Sequence, residues 1–301
     1  MDQKTSAREW FMRGCRDDLI DPQSGGAIEA YKRSIVLDPT FTASYVNLGF
    51  IYLHREDYEW ALICLQRVTE LEPNNPEAYN NLGYVYEKMG RLGSARQIYE
   101  RALALNQENT ETIINLGHIS ELEGNYHSAK EQYKKAIEVD PNAESPRFFL
   151  ALLYDHYDMF DEAIQGYQDV LRKNTSHEKA LFNLGNLYVQ LGDYTKGTEF
   201  FERVLAFDPD NAEAWNNLGS IYEITKHYED AITAYQKSLA LNPFQEEANV
   251  NLAQIQYNQY LSNPNSVNKE GIILRLHFAH SINPQKTRAQ QLLEKITKEN
   301  F

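Results

Sequence analysis

The chain has 301 residues, with 43 acidic and 29 basic side chains and a net charge of −14. This balance argues against a nucleic-acid binder, which needs a basic face, and a hydrophobic content of 42% argues against wholesale disorder. Two cysteines, Cys15 and Cys64, are too few for a disulfide framework, and no apolar run has the length of a membrane span, so we expect a reducing, cytoplasmic compartment.

A Leu-Gly or Leu-Ala dipeptide recurs along the chain at intervals of 34 residues. It stands at Leu48-Gly49, Leu82-Gly83, Leu116-Gly117, Leu150-Ala151, Leu184-Gly185, Leu218-Gly219 and Leu252-Ala253. With this leucine as position 7, the repeated units begin at residues 8, 42, 76, 110, 144, 178, 212 and 246. A fixed period of this length is typical of an array of repeats rather than of separate globular domains.

Each unit is predicted to form two helices. Positions 4, 7, 8 and 11 carry one apolar stripe at helical spacing, and positions 20, 24, 27 and 28 carry another. Gly90, Gly124 and Gly192, at position 15, mark the end of a first helix, and a proline at position 32 closes the second. A lone helix pair cannot bury both stripes, so neighbouring units must stack. Sixteen of the 20 tyrosines fall in four columns of the unit, which indicates that they are packing residues first.

The signature columns are an aromatic residue at position 4, Leu-Gly at 7 and 8, Tyr at 11, Ala at 20, Tyr or Phe at 24 and Pro at 32. This pattern resembles the tetratricopeptide repeat (TPR) family and covers residues 8 to 245 directly. The resemblance implies an all-α fold, a right-handed α-solenoid superhelix of antiparallel helix pairs. It also implies that the first helix of each pair lines a concave groove. We therefore predict a single solenoid domain over residues 1–301.

The two ends depart from the pattern, as terminal units do. The first helix of the first unit should end before the sequence DPQSGG, which begins at Asp21. The eighth unit is predicted to carry a seven-residue insertion between its helices, at Ser262 to Asn268. The last residues, about 285–299, should form a capping helix. Eight units and a cap would leave no room for a separate catalytic domain.

Position 6 is occupied almost throughout by asparagine, which is a mediocre helix former. The column comprises Asn47, Asn81, Asn115, Asn183, Asn217 and Asn251, with Phe149 as the exception. A row of amides could pair with successive peptide groups of an extended ligand. The column resembles the asparagine ladder of the O-linked N-acetylglucosamine transferases. The alternative is that asparagine is common at this column across TPRs and was copied by duplication.

The same surface is acidic. Over positions 2, 5, 9, 12 and 13 of units two to eight there are eight acids against Lys88 and Lys179. A groove with this charge would favour a partner segment with lysine or arginine, and Glu87, Glu121 and Glu223 are the predicted selecting residues. The alternative is an ordinary solvated acidic face.

Phe148 and Phe149 interrupt the asparagine column in the fifth unit. They could form an apolar pocket for an anchoring side chain of the ligand. Alternatively, they repair the packing of a weakly matching unit, which has Pro146, Ala151 and Thr175 off the pattern.

The sequence predicts a non-catalytic protein without metal or cofactor, because phosphate-binding loops, nucleophile elbows and metal-ligand motifs are all missing. Lys179 and Asn183 are only a fragment of the clamp by which some TPR domains bind chaperone tails. The predicted role is a scaffold or adaptor that binds a protein or peptide in the groove and supports complex assembly. Two alternatives stay open: a structural subunit that contacts partners through its convex face or ends, and a substrate-recruiting partner of a separate enzyme.

Overall fold

The computed structural model describes residues 3–20, 25–285 and 287–298, apart from the side chain of Thr5. Within these residues the chain forms seventeen helices and no strand. Its internal contacts divide it into two compact units, residues 1–153 and 154–301, and each is described by itself.

The first compact unit consists of consecutive helix pairs joined by short turns. Its helices are α1 (Gln3–Ile20), α2 (Gly25–Leu37), α3 (Thr42–His54), α4 (Tyr58–Leu71), α5 (Pro76–Lys88), α6 (Leu92–Leu105), α7 (Thr110–Leu122), α8 (Tyr126–Val139) and most of α9 (Ser145–His156).

The second compact unit continues the alternation. Its helices are α10 (Phe160–Lys173), α11 (Glu178–Gln190), α12 (Tyr194–Phe207), α13 (Ala212–Ile224), α14 (Tyr228–Leu241), α15 (Glu246–Ser262), α16 (Lys269–Ile282) and α17 (Arg288–Lys298). The predicted fold class, an all-α solenoid of paired helices, is confirmed.

The turn inside most pairs is a left-handed backbone position at position 15 of the unit. Gly90 has φ 71°, and around it the amide of Arg91 donates to the carbonyl of Tyr86 across 2.9 Å. This is the hydrogen-bond pattern that ends helices at a left-handed residue. Gly124 and Gly192 repeat it, and the same position is filled without glycine by Glu56, Asp158 and Lys226, at φ 61°, 56° and 65°.

The helices of a pair approach closely because the small residue at position 8 lies against the ring at position 24. A Cβ added to Gly83 would meet the ring of Tyr99 at 2.6 Å, and the same holds for Gly117 against Tyr133. Both tyrosine side chains are fully buried. The glycine of the Leu-Gly signature is therefore needed where an aromatic ring of the second helix packs on the backbone of the first.

The two ends of the described chain depart from the regular helix pairs. α1 ends at Ile20, and residues 21–24 lie outside the described part of the chain. α15 has 17 residues and is followed by a short turn, so α16 begins 41 residues after α14. α17 buries Leu292 and Ile296 against α15 and α16, while residues 286 and 299–301 of the C-terminal segment are not described. None of the described helices is long and apolar enough to cross a bilayer.

Candidate partner-binding surface

In each compact unit, we call the positions 2, 5, 6, 9, 12 and 13 of the odd-numbered helices the first-helix surface; these helices are α3, α5, α7 and most of α9 in the first compact unit and α11, α13 and α15 in the second. Its acids at position 12 accept hydrogen bonds from buried tyrosines at position 24. The hydroxyl of Tyr99, for example, donates to Glu87 across 3.0 Å, and burial followed by the charge of Glu87 raises the pKa of Tyr99, so the phenol stays protonated. The four pairs are Tyr99 with Glu87, Tyr133 with Glu121, Tyr167 with Asp155 and Tyr235 with Glu223.

In repeats two to seven, where the residue at position 24 has no hydroxyl, position 12 has no acid. Leu65 stands with Leu53, and Phe201 stands with Val189. The rule follows from the cost of a buried polar group without a partner, about 1–3 kcal/mol. The correlation between the two columns is visible in the sequence, and it is the signal by which these pairs could have been found before the structure.

Glu87 has a second partner in the next first helix. Nδ1 of His118, at position 9 of α7, lies 3.0 Å from a carboxylate oxygen of Glu87, whose side chain is only 6% exposed. This hydrogen bond raises the pKa of His118, against the lowering effect of burial. Glu87 thus joins α5, α6 and α7 through Tyr99 and His118.

The predicted asparagine column lies on this surface, and most of its amides also bond within the protein. Asn47 donates to the hydroxyl of Tyr31 across 3.1 Å, and Asn183 donates to that of Tyr167 across 3.3 Å. The remaining contacts are Asn115 to Asn80 Oδ1 at 3.0 Å, Asn217 to Asn186 Oδ1 at 2.9 Å, and buried Asn251 to the Tyr235 hydroxyl. Asn81, like Asn115 and Asn217, is half-buried. Five of the six asparagines therefore tie their own repeat to the preceding one.

Phe148 and Phe149 lie in the packing of the fifth unit. Phe148 is 8% exposed, and the ring of Phe149 stacks on Tyr133 with centroids 5.9 Å apart. Tyr133 is the position-24 tyrosine of the preceding repeat. In other repeats the position-6 asparagine donates to the hydroxyl of that tyrosine, as Asn183 does to Tyr167. Both phenylalanine rings therefore take part in the internal packing of this part of the chain.

A cavity of about 390 Å³ opens among three successive first helices of the second compact unit. Position 5 of α11 supplies Phe182 and position 9 supplies Asn186. α13 and the start of α15 supply the other walls, which are Glu213, Asn216, Asn217, Gln245, Glu246 and Glu247. None of these lining residues is basic.

Two features of the walls bear on what the cavity could hold. Glu213 is exposed, whereas Oδ1 of Asn216 is buried and has no hydrogen-bond partner among the described residues. Asn217 and Asn186 are fixed by their mutual hydrogen bond. The sequence analysis named Asn217 as a candidate contact but not Asn186 and Asn216, because their columns are not uniformly polar from repeat to repeat.

These features define the class: an all-α repeat protein whose helix pairs stack and whose first helices carry a polar, acidic surface. Models of the tetratricopeptide repeat match residues 30–63, 51–90, 76–142, 153–212 and 182–246. Because the matches together cover well over half of the sequence, the chain belongs to the tetratricopeptide repeat family. A comparison with curated protein sequences gives no significant match.

Solved structures share the fold at low sequence identity. A chain of the APC/C hetero-tetramer Cut9–Hcn1 aligns with 90% of this chain at 17% identity and a TM-score of 0.62, and this chain spans 52% of it. A tetratricopeptide repeat protein from Parabacteroides merdae aligns with 83% of this chain and 99% of its own length, at 20% identity and a TM-score of 0.62. A chain of the human IFIT1 dimer with m7Gppp-AAAA aligns with 91% of this chain and 67% of its own length, at 16% identity and a TM-score of 0.65. Tetratricopeptide repeat proteins are generally non-catalytic scaffolds for protein interaction.

Proposed function

We propose that this protein is a non-catalytic adaptor that binds a segment of a partner protein, extended or helical, along its first-helix surface. The observation that carries the proposal is the cavity among α11, α13 and α15, which combines acids, amides and an aromatic ring and has no basic residue in its walls. Charge complementarity favours a segment with lysine or arginine. The partner would lie in the groove that the sequence predicts.

The proposed contacts keep the full set expected from the sequence. They are Asn47, Asn81, Asn115, Asn183, Asn217, Asn251, Glu87, Glu121, Glu223, Phe148 and Phe149. The half-buried asparagines are the central members, because an amide that donates one hydrogen bond keeps a second donor and its acceptor oxygen. The glutamates would act mainly through their charge, since tyrosine hydroxyls already hold their carboxylates.

The finer architecture belongs to the same proposal. We count eight units over α1–α16, closed by α17, with the asparagines as a ladder like that of the O-linked N-acetylglucosamine transferases. The single solenoid over residues 1–301 stays a prediction. A reducing, cytoplasmic location is supported by Cys15 and Cys64, which are both free thiols; burial raises the pKa of Cys64 to about 11.

A site-specific crosslinking experiment tests which surface binds. The photoreactive residue benzoylphenylalanine would replace Tyr84, exposed at position 9 of α5, or Ile63, exposed on the second helix α4. The full-length variants would be irradiated in cells and the crosslinked proteins identified by mass spectrometry. We expect a discrete partner from position 84 and none from position 63. Crosslinks from position 63 alone would contradict the proposal.

A second candidate is a structural subunit of a larger assembly, and an exposed apolar patch near the C-terminal end favours it. Phe244 is 68% and Leu274 69% exposed, and the ring of Phe244 lies 5.8 Å from that of Phe278. Leu274 and Phe278 are four residues apart on α16 and so share one face. Benzoylphenylalanine at position 274 provides the third arm of the experiment: crosslinks from this position alone would favour the structural subunit.

A further inference from the structure

The cavity among α11, α13 and α15 has features of a side-chain pocket rather than of a general acidic face. Its volume of about 390 Å³ falls within the range of about 300–1,000 Å³ found for small-ligand sites. It contains acceptors of two kinds, carboxylate and amide oxygens. It also contains one aromatic ring, Phe182, which is held edge-to-face by Phe201 with centroids 5.5 Å apart.

The acids alone would not define a site, because the first turn of a helix favours glutamate for its own stability. Glu178 occupies that place in α11, where it accepts a hydrogen bond from Asn211 across 3.0 Å and so serves the fold. Glu213, the acid in the first turn of α13, instead lies exposed at the cavity. A ligand cation would find its charge there without displacing an internal partner that the structure records.

Asn216 supplies an independent observation. Its Oδ1 is buried without a hydrogen-bond partner, a state that costs about 1–3 kcal/mol unless a donor satisfies it. The amide torsion of asparagine is broad and roughly two-fold, and Asn216 lines the cavity, so rotation of its amide would present this oxygen to a bound group. The unpartnered oxygen therefore favours a ligand with a hydrogen-bond donor, and the surrounding carboxylates favour a cation.

We propose that the cavity binds one arginine side chain of the partner segment, which makes it the anchor of the adaptor surface. Arginine fits this set of walls better than lysine does. Its planar guanidinium carries five donors, which can reach the carboxylate of Glu213 and the amide oxygen of Asn216 together. Its flat face can also pack on the ring of Phe182. The inference rests on the proposed function and deepens it, since it names the residue of the partner that the surface recognises.

The probe for this site is the capped tripeptide acetyl-Gly-Arg-Gly-amide, titrated into the full-length protein labelled with ¹⁵N. Its matched controls replace arginine with citrulline, which has the same shape without the charge, or with lysine. We expect the side-chain amide signals of Asn186, Asn216 and Asn217 to shift with the arginine peptide. Citrulline should leave them in place, and lysine should bind more weakly.

Two variants complete the test. Glu213→Gln should weaken the arginine peptide about tenfold, the loss of one charge-assisted contact. Glu199→Gln, an exposed acid on the second helix α12, should not change binding. Equal binding of citrulline or lysine, equal effects of the two variants, or no shift up to the solubility limit of the peptide would overturn the arginine site.

The two proposals fail in different ways. Crosslinks from position 84 without binding of the tripeptide would leave the adaptor in place and remove the arginine pocket. Tripeptide binding with crosslinks only from position 63 or 274 would keep the pocket and remove the adaptor surface.

Discussion

Two regions of the first-helix surface, one in each compact unit, carry glutamates but use them differently. In the first compact unit, Glu87 is 8% exposed and accepts hydrogen bonds from Tyr99 and His118. In the second unit, Glu213 is exposed and faces a cavity with Asn216. The two acids add the same formal charge to the sequence, yet one stabilises the fold and the other is available to a ligand.

Glu87 stands at position 12 of its repeat and Glu213 at position 2, so the two acids have different neighbours. Tyr99 brings a buried hydroxyl that needs an acceptor, so the unit carries Glu87. Phe201 has no hydroxyl, and its partner at position 12 is Val189. Asn217 consequently has no phenol to meet in the preceding unit and donates to Asn186 at the cavity wall instead. The comparison shows that the charge of a repeat column becomes informative only once its buried partners are known.

The largest expected effect comes from removing one partner of the first region. Tyr99→Phe leaves the buried carboxylate of Glu87 without the phenol that donates to it. We expect the free energy of unfolding to fall by about 1–3 kcal/mol. The measurement is a lower urea midpoint at unchanged slope, followed by far-UV circular dichroism.

The matched control copies the natural apolar pair. Adding Glu87→Val to Tyr99→Phe reproduces Val189 and Phe201. It should recover part of the loss, because two apolar partners need no hydrogen bond and the exposed ring of His118 can bond to water in place of Glu87. A double variant that is less stable than Tyr99→Phe by the full cost of a second independent mutation would contradict the pairing rule.

A smaller effect of opposite sign separates stability from binding in the second unit. Lys226 takes a left-handed φ of 65°, where a Cβ is unfavourable and glycine is not. Lys226→Gly should stabilise the protein by about 0.5–1 kcal/mol, after the entropy that glycine adds to the unfolded chain. Thermal unfolding measures the gain. Glu56→Gly, at position 15 of a repeat in the first compact unit, should stabilise the protein by a similar amount. Neither variant should alter binding of the arginine peptide.

The smallest effect is a dependence of stability on pH at His118. Its hydrogen bond to Glu87 raises the pKa of His118 in the folded protein above the value of about 6.5 in unfolded chains. The stabilisation is therefore complete below about pH 6.5 and is lost as the pH rises through the folded-state pKa. Because 42% of the His118 side chain is exposed, solvent screens the interaction.

The check is a series of urea midpoints across neutral pH for the wild type and for His118→Gln. The difference between them should be greatest at the acid end of the window and shrink towards the alkaline end. Parallel curves would remove the His118–Glu87 pair from the account.

Much of the fold was predictable because the same residue pattern recurs in nearly every repeat. The period of 34 residues, the left-handed glycines such as Gly90 and the small residue at position 8 all follow from local geometry. It was harder to predict which polar side chains bond within the protein and which line a cavity. Whether Asn183 meets a phenol or Asn217 lines a cavity depends on a residue in the preceding unit, and the depth of a cavity depends on three helices at once. Single columns do not contain that information.

In the proposed arginine site Glu213 contacts the ligand directly, whereas Glu87 holds Tyr99 and His118 and adds only its charge to the surface. The most direct measurement is the affinity of acetyl-Gly-Arg-Gly-amide for Glu213→Gln and for Glu87→Gln, with the wild type as reference. We expect about tenfold weaker binding for Glu213→Gln. Binding should be unchanged for Glu87→Gln, because the tripeptide enters only the cavity and Glu87 is not among its walls; the urea midpoint of this variant should fall instead. Equal affinities for the two variants would contradict the proposed arginine site.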